Sequence, residues 1–417
     1  MTGSPSVCLT VGVYADLEGG IGGGVNSFAQ GLVTSLLERE DADLRYVVFL
    51  ADNNDEWGVE SSERASIVRV HRRPEPFGIR AWPNRLARYG AGLLDAAKGD
   101  LLRARVTVVR RWRQREITRA VAASPWALDI LHFPFQDIAR LRPPMIFSPW
   151  DLQHRHLKEL WGKKAADARD AYYRLGCRMA RYVAFGSEWA RDDVVKEFRL
   201  ELEKTIVVPI APPSSLGERA DAAHRTVVRQ KYGLPARFML YPAVTWKHKN
   251  HVRLLSAMAS VKACAPDLHL ICTGQIGPFV TVIMAHAETV GVADRVRFLG
   301  YVEKRDLSAL YHLAEFCVYP SLFEGGALPV LEAFDEGCPL AASGVTCIPE
   351  YAGDAALLFD PYDVTSISKA ITAMSTSPSL RRDLAFRGRE RVTRYSWVKV
   401  GEQYTDLYRR MSRERKN

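Results

Sequence analysis

One feature constrains this chain above all others. Short apolar runs of strand character alternate with segments of helical spacing, and the alternation occurs in two series. The first series is VCLTVGVYA, LRYVVFLA, SIVRVHR, LDILHF, PPMIFSPW, YVAFGS and KTIVVPI. Between its first two runs, Phe28, Leu32, Leu36 and Leu37 recur at helical spacing within Val25–Glu40. Residues 212–226 (PPSSLGERADAAHRT) lose the pattern and read as a linker. The second series follows: FMLYPAV, DLHLICTG, RVRFLG, EFCVYPS, PLAASG and AALLFD. Runs this apolar have no face to offer water. They predict parallel sheets covered by helices on both sides. The chain therefore reads as two doubly wound α/β domains, and 417 residues suffice for two or three.

Composition excludes several classes. Hydrophobic residues make up 47% and charged residues 25%, which is globular and neither disordered nor fibrous. No apolar run reaches the roughly 18 residues of a membrane-spanning helix. Met1–Pro5 leads straight into a strand-like run and not into a signal peptide. The expected location is the cytoplasm, including the inner face of the cell membrane. Seven cysteines without a C-x-x-C pair predict buried free thiols and no zinc site.

The formal net charge is +9. Eleven Lys/Arg stand against three acids between Arg80 and Arg119, together with Trp82, Tyr89 and Trp112. Two readings stay open for this stretch: a solvated helical face, or a contact with an anionic membrane surface. No nucleic-acid-binding module accompanies it, so nucleic acid is not an expected partner.

Polar and glycine residues of the second series cluster just after its strands. Lys247–Asn250, Gly274, Gly300 with Tyr301, and Glu324–Ala327 all occupy such positions. In open parallel sheets these loops share one edge, where ligands bind. The densest segment is FEGGALPVLEAFDEG, residues 323–337. Gly325 and Gly326 suit a tight turn, and Pro329 suits the first turn of a helix. Free N–H groups around Gly326–Leu328 would make an anion site at the positive helix end. Glu324 and Glu332 flank it and suit sugar hydroxyls better than phosphate. Phosphate beside polyol describes a nucleotide sugar. The plain alternative is a strand-to-helix turn with two solvated glutamates.

The segment also carries a Glu-x7-Glu spacing, and with it the chain resembles glycosyltransferase family 4. PSLFEGGALPVLEAFDEGCPLAASGVTCIPEYAGDAALLFDPYD, residues 320–363, is similar to that family's donor-site block. YPAVTWKHKNHVRLLSA and FLGYVEKRDLSALYHLAEFCVYPS resemble its phosphate- and base-binding stretches. The Gly19–Gly24 loop and FGSEWARDDV match features of its first domain.

The resemblance implies a GT-B fold of two Rossmann-like domains facing across a cleft. Residues 1–212 would form the acceptor side and residues 226–395 the nucleotide-sugar side, with a final helix in 396–417 returning to the first domain. It implies that Glu332 holds the ribose and Glu324 contacts the transferred sugar. Gly325, Gly326, Ala327 and Leu328 would bind sugar and diphosphate. Gly300 and Val302 would meet the base, and Lys249 would neutralise the leaving diphosphate. Breaking a sugar–phosphate bond puts negative charge on the departing group, which a fixed ammonium stabilises.

The chain departs from the family at two places. Val244 stands where an arginine is usual. Trp150 stands where a histidine usually precedes Asp151. His154 and His156 follow closely, so a His154–Asp151 arrangement could orient an acceptor hydroxyl, or Asp151 could simply cap a helix. Gly22 and Gly23 lie in GGIGGG, which fits neither G-x-G-x-x-G nor the Walker pattern. A loop that lets backbone approach the diphosphate or acceptor fits it, as does a merely flexible loop. Ser187 and Glu188 suit a helix cap near acceptor or diphosphate. The only D-x-D is Asp41–Asp43, in an expected surface turn, so neither a metal nor another cofactor is expected.

The function expected is a retaining, metal-independent transfer of a hexose, mannose from GDP-mannose first. The donor is a nucleoside-diphosphate sugar. The acceptor is a glycan or lipid-linked precursor of the cell envelope. Two alternatives remain at this point: a sugar-nucleotide-binding subunit without activity, and another GT-B enzyme such as a phosphorylase or epimerase.

Overall fold

The computed structural model describes residues 8–15, 23–51, 57–70, 111–213 and 219–416. The chain divides into two compact units. One comprises 1–186, 191–209 and 397–417, and the other 187–190 and 210–396.

The first unit holds a seven-stranded parallel sheet among the described residues. Its strands are β1 (Leu9–Ala15), β2 (Leu44–Ala51), β3 (Ala65–Val70), β4 (Ile130–Phe133), β5 (Met145–Phe147), β6 (Tyr182–Phe185) and β7 (Thr205–Val207). The order is β3-β2-β1-β4-β5-β6-β7. Seven consecutive buried residues in β1 explain the position of that strand at the centre, because both its faces are covered. Helix Gly23–Leu37 packs one face, and its register begins two residues before the expected Val25.

Helix Trp397–Lys416 returns to this unit and packs on helix Gly23–Leu37. Gly31 makes that contact possible, because a Cβ there would lie 2.2 Å from the Trp397 ring. Tyr408 hydroxyl meets the buried His132 Nδ1 at 2.8 Å, and Arg409 binds Asp41 and Asp43 at 2.8 Å each. The D-x-D turn is thus an anchor for the last helix.

The second unit holds six parallel strands: β8 (Arg237–Pro242), β9 (Leu268–Thr273), β10 (Val296–Phe298), β11 (Phe316–Tyr319), β12 (Leu340–Ser343) and β13 (Ala356–Phe359). Their order is β10-β9-β8-β11-β12-β13. The order reverses between β8 and β11. At such a point the two flanking loops leave in opposite directions and open a crevice at the carboxyl edge.

Cysteines 177, 272, 317, 338 and 347 are buried free thiols. Cys264 departs from the expectation of burial. It is exposed in the turn that ends helix His251–Ser260, where its Sγ meets the Val261 carbonyl at 3.2 Å. No helix among the described residues is long and apolar enough to cross a membrane.

Candidate active site

The β8 and β11 loops meet at the switch point of the second sheet. Lys249 ends the short 3-10 turn Lys247–Lys249 after β8, and Glu324 lies five residues beyond β11. Lys249 Nζ reaches Glu324 Oε1 at 2.6 Å, with both side chains nearly buried, at 13% and 11% exposure. Burial opposes charge on Glu324. The Lys249 ammonium and the hydrogen bonds from Lys249 and Ser321 outweigh it, so the carboxyl titrates below its ordinary value. Glu324 is therefore an anion at neutral pH, side by side with the Lys249 amine.

The loops that carry the pair are tied down by polar contacts. Asn250 adopts a left-handed backbone, φ 61°, and its Nδ2 donates to the carbonyls of Pro320 at 3.0 Å and Pro361 at 2.8 Å. One side chain therefore fastens the loops after β8, β11 and β13. Thr346, also left-handed at φ 55°, accepts the Glu324 N–H at 3.3 Å. Ser321 donates to Glu324 Oε1. His248 is buried, and desolvation with the Lys249 charge lowers its pKa to about 4, so it adds no cation beside the pair.

Gly325, Gly326 and Ala327 lead directly into helix Leu328–Asp335, which has Pro329 in its first turn and no side-chain cap. The first N–H groups of that helix therefore have no side-chain acceptor at the cap. Glu332 sits one turn further in. Its Oε2 accepts the Tyr311 hydroxyl at 2.9 Å. Burial raises its pKa, the Glu336 charge adds to the rise, and the Tyr311 bond opposes it.

Gly300 takes φ 74°, and its carbonyl accepts the Gly274 N–H at 2.8 Å. Gly274 itself needs to lack a Cβ, which would lie 2.9 Å from the Ala243 backbone. Val302 is buried. Trp246, Ile276 and Tyr301, after β8, β9 and β10, are exposed at 54%, 46% and 77%. They form an apolar rim next to Gly300.

The second unit thus brings together Lys249, Glu324, Gly325, Gly326, Ala327, Leu328 and, one helical turn away, Glu332. Sequence reasoning placed Asn250 at the ligand edge, within Lys247–Asn250, without giving it a role, and missed Ser321, Thr346 and Tyr311. Asn250 and Thr346 had a signal only in the backbone, since left-handed non-glycine residues cannot be read from composition.

In the first unit, Gly22 lies outside the described residues and Gly23 opens helix Gly23–Leu37. Trp150 is a core residue at φ 67°. Its indole N–H donates to the Pro134 carbonyl at 3.1 Å, and its ring meets Phe28 edge-on at 4.8 Å. Asp151 accepts the Gln153 N–H at 2.9 Å from one position before the N-cap, Leu152, and so does not cap the helix as the sequence suggested. His154 is buried at 1% exposure, and desolvation together with the Arg169 charge lowers its pKa to about 4. His156 binds Asp193 at 2.9 Å. Ser187 caps helix Glu188–Phe198, and Glu350 accepts the N–H groups of Glu188 at 2.9 Å and Trp189 at 3.0 Å. Of the basic stretch, 80–110 lies outside the described residues. In the remainder Arg113 pairs with Asp137, Arg119 with Glu116, and Arg111 and Arg115 are exposed.

Residues 225–391 match the family Glycosyl transferases group 1. O-antigen chain mannosyltransferase B of Escherichia coli is 32% identical over 232 residues, 55% of this chain and 61% of that protein. The match thus spans less than two thirds of that relative's length. MMP alpha-(1->4)-mannosyltransferase of Mycolicibacterium hassiacum is 25% identical over 402 residues, 91% of this chain and 94% of the other. Sucrose-phosphate synthase from Thermosynechococcus elongatus shares the fold, with TM-score 0.73 at 19% identity, over 97% of this chain and 100% of that one. The sheet order, the switch-point site and these likenesses agree: residues 225–391 carry a group 1 glycosyltransferase domain, and the chain shares the two-domain GT-B architecture of its structural neighbours.

Proposed function

We propose that the protein transfers a hexose, mannose from GDP-mannose in the first instance, from a nucleoside diphosphate to an acceptor hydroxyl, with retention at the anomeric carbon. The observation that carries this reading is the Lys249–Glu324 pair at the switch point, 2.6 Å apart beside an uncapped helix start. A donor entering there exchanges that ion pair for one ion pair and one contact with the sugar. The diphosphate takes Lys249 and the N–H groups around Ala327, and the sugar faces Glu324. As the sugar–phosphate bond breaks, electrons go to the departing oxygen, where Lys249 lies. Positive character grows on the sugar, where the ionised Glu324 lies. Both charges match the transition state better than the ground state, which is the condition for acceleration.

Glu332 holds the ribose hydroxyls in this reading, with Tyr311 setting its orientation. The apolar rim of Trp246, Ile276 and Tyr301 suits a base face. Mannose and GDP rest on the mannosyltransferase names of the relatives and on the TWKHKN segment. A cell-envelope glycan or its lipid-linked precursor is the acceptor class proposed. Lys249 and the helix start supply leaving-group stabilisation without a metal ion, and unchanged turnover in a chelator would support this.

Titration of the purified protein with GDP-mannose, UDP-glucose and ADP-glucose, with detection of free nucleoside diphosphate, tests the donor. GDP release and a mannosylated product are expected. No binding of GDP-mannose would remove it as donor. An anionic membrane is the further partner proposed, through Arg111, Arg115 and the rest of the basic stretch. Co-sedimentation with anionic but not neutral vesicles is expected, reduced by Arg111→Gln with Arg115→Gln. Equal binding to both vesicle types would refute it.

A further inference from the structure

Four buried polar atoms at the carboxyl end of β5 have no hydrogen-bond partner among the described residues. They are both ring nitrogens of His154, Nε of Arg169 and the Tyr173 hydroxyl oxygen; His154 Nε2 lies 3.6 Å from Asp170 Oδ1, beyond hydrogen-bond distance. Buried polar atoms are nearly always paired, so four in one cluster require a cause. The cluster is compact. The His154 and Tyr173 rings lie 5.4 Å apart, and Tyr173 packs on Phe147, the last residue of β5, at 6.2 Å. His154 and Tyr173 are 1% and 2% exposed.

The charges around it are unequal. Asp170 is engaged by Arg155 at 3.1 Å and by Arg174 at 2.8 Å, and Arg155 also pairs with Glu197. Arg169 has no carboxylate at ion-pair distance among the described residues. Its guanidinium is held instead over two rings, 4.5 Å from Trp161 and 4.9 Å from Tyr173. Aromatic faces fix a guanidinium without neutralising it, so its charge stays available to a third group. The Tyr173 hydroxyl adds an O–H donor, and the uncharged His154 ring, whose Nε2 lies 3.6 Å from Asp170 Oδ1, adds one N–H in its Nδ1–H tautomer. A guanidinium with two further donors, set at the edge of a parallel sheet, matches the oxygens of an anion. A neutral hydroxyl or a water molecule would not need the cation.

We propose that Arg169, Tyr173 and His154 form a subsite for an anionic group, a carboxylate or a phosphate, carried by the sugar acceptor. That the ligand is an acceptor rests on the glycosyltransferase reading above; that it is an anion does not.

The test uses the full chain and four probes: mannose 6-phosphate, glucuronate, inorganic phosphate and mannose, titrated calorimetrically. Mannose 6-phosphate or glucuronate should bind and mannose should not, and the stronger of the two names the anion. Arg169→Gln should weaken that binding at least tenfold and leave GDP binding within twofold. Tyr173→Phe removes only the hydroxyl and should weaken it severalfold, which keeps the test open if the arginine variant misfolds. If no anionic probe binds, or if binding is unchanged in both variants, the subsite is refuted and the cluster holds internal water. GDP-mannose turnover is measured in parallel. Its absence with anion binding intact would sink the transferase reading and not the subsite.

Discussion

The two units use one architecture and treat the charges at their sheet edges in opposite ways. In the second, Lys249 and Glu324 are matched at 2.6 Å, and Asn250, Ser321 and Thr346 fix the loops around them. In the first, Arg169 stands without a carboxylate at ion-pair distance among the described residues, beside a neutral His154 whose ring nitrogens make no hydrogen bond. The matched edge falls inside the segment shared with the family, 225–391, and the unmatched edge outside it. A ligand common to many relatives suits a fixed, self-neutralised socket. A ligand that differs between relatives leaves its charge partner to be supplied from outside. The contrast teaches that where a protein leaves charge unbalanced is where its own specificity is to be sought.

The largest effect that could break this contrast is at Lys249. Lys249→Ala should lower turnover about 100–1000-fold, the usual consequence of removing one charge-stabilising donor. It should also lower Tm, because a nearly buried carboxylate loses its partner. Adding Glu324→Ala should restore Tm and leave turnover low. Recovery of activity in the double variant would show the pair to be structural only.

Asn250→Ala comes next. It removes the amide that fastens three loops and leaves the Pro320 and Pro361 carbonyls unpaired, a loss of about 2–3 kcal/mol measurable by denaturant unfolding. A loss below about 0.5 kcal/mol would mean that the matched edge is not held by that residue.

Acid tests both units together. Burial lowers His132 and His251 to about 3, and His248 to about 4, from an ordinary value of 6.5. Above pH 6.5 neither state is protonated and these residues contribute nothing. Between 6.5 and 4 the unfolded chain takes up protons that the folded chain refuses. Stability should therefore fall with pH over that window by up to about 1.4 kcal/mol per unit for each histidine. His248→Gln should flatten the curve. An unchanged slope would refute its buried neutral state.

The smallest effect sharpens the division of labour. Glu332→Ala should raise KM about tenfold with kcat within twofold, since ribose contacts change little during reaction. Glu324→Gln should mainly lower kcat. Identical behaviour of the two variants would end the distinction.

The thirteen strands among the described residues were all legible in the sequence: interior strands leave apolar runs, and the less buried β3, β7 and β10 still carry β-branched or aromatic residues. The donor-edge residues were legible for a related reason. Glycine, proline and charge directly after such a run have few structural uses. What could not be read was conformation and long-range pairing. Trp150 looks like a replaced functional residue in the sequence. In the structure its left-handed backbone turns the indole toward Phe28 and Pro134. Arg169 looks like any helix-surface arginine in KKAADARDAYYR. Its isolation depends on Arg155 and Arg174 both turning to Asp170, which no spacing reveals.

The return of Trp397–Lys416 to the first unit has a consequence for how the protein is made. The ring that fills the Gly31 notch and the hydroxyl that meets His132 are encoded nearly four hundred residues into the chain. A ribosome exposes all of 210–396 before it delivers them. Most of the second unit can therefore begin folding during translation, while the first waits, with strand β1 and its first helix lacking their last partner.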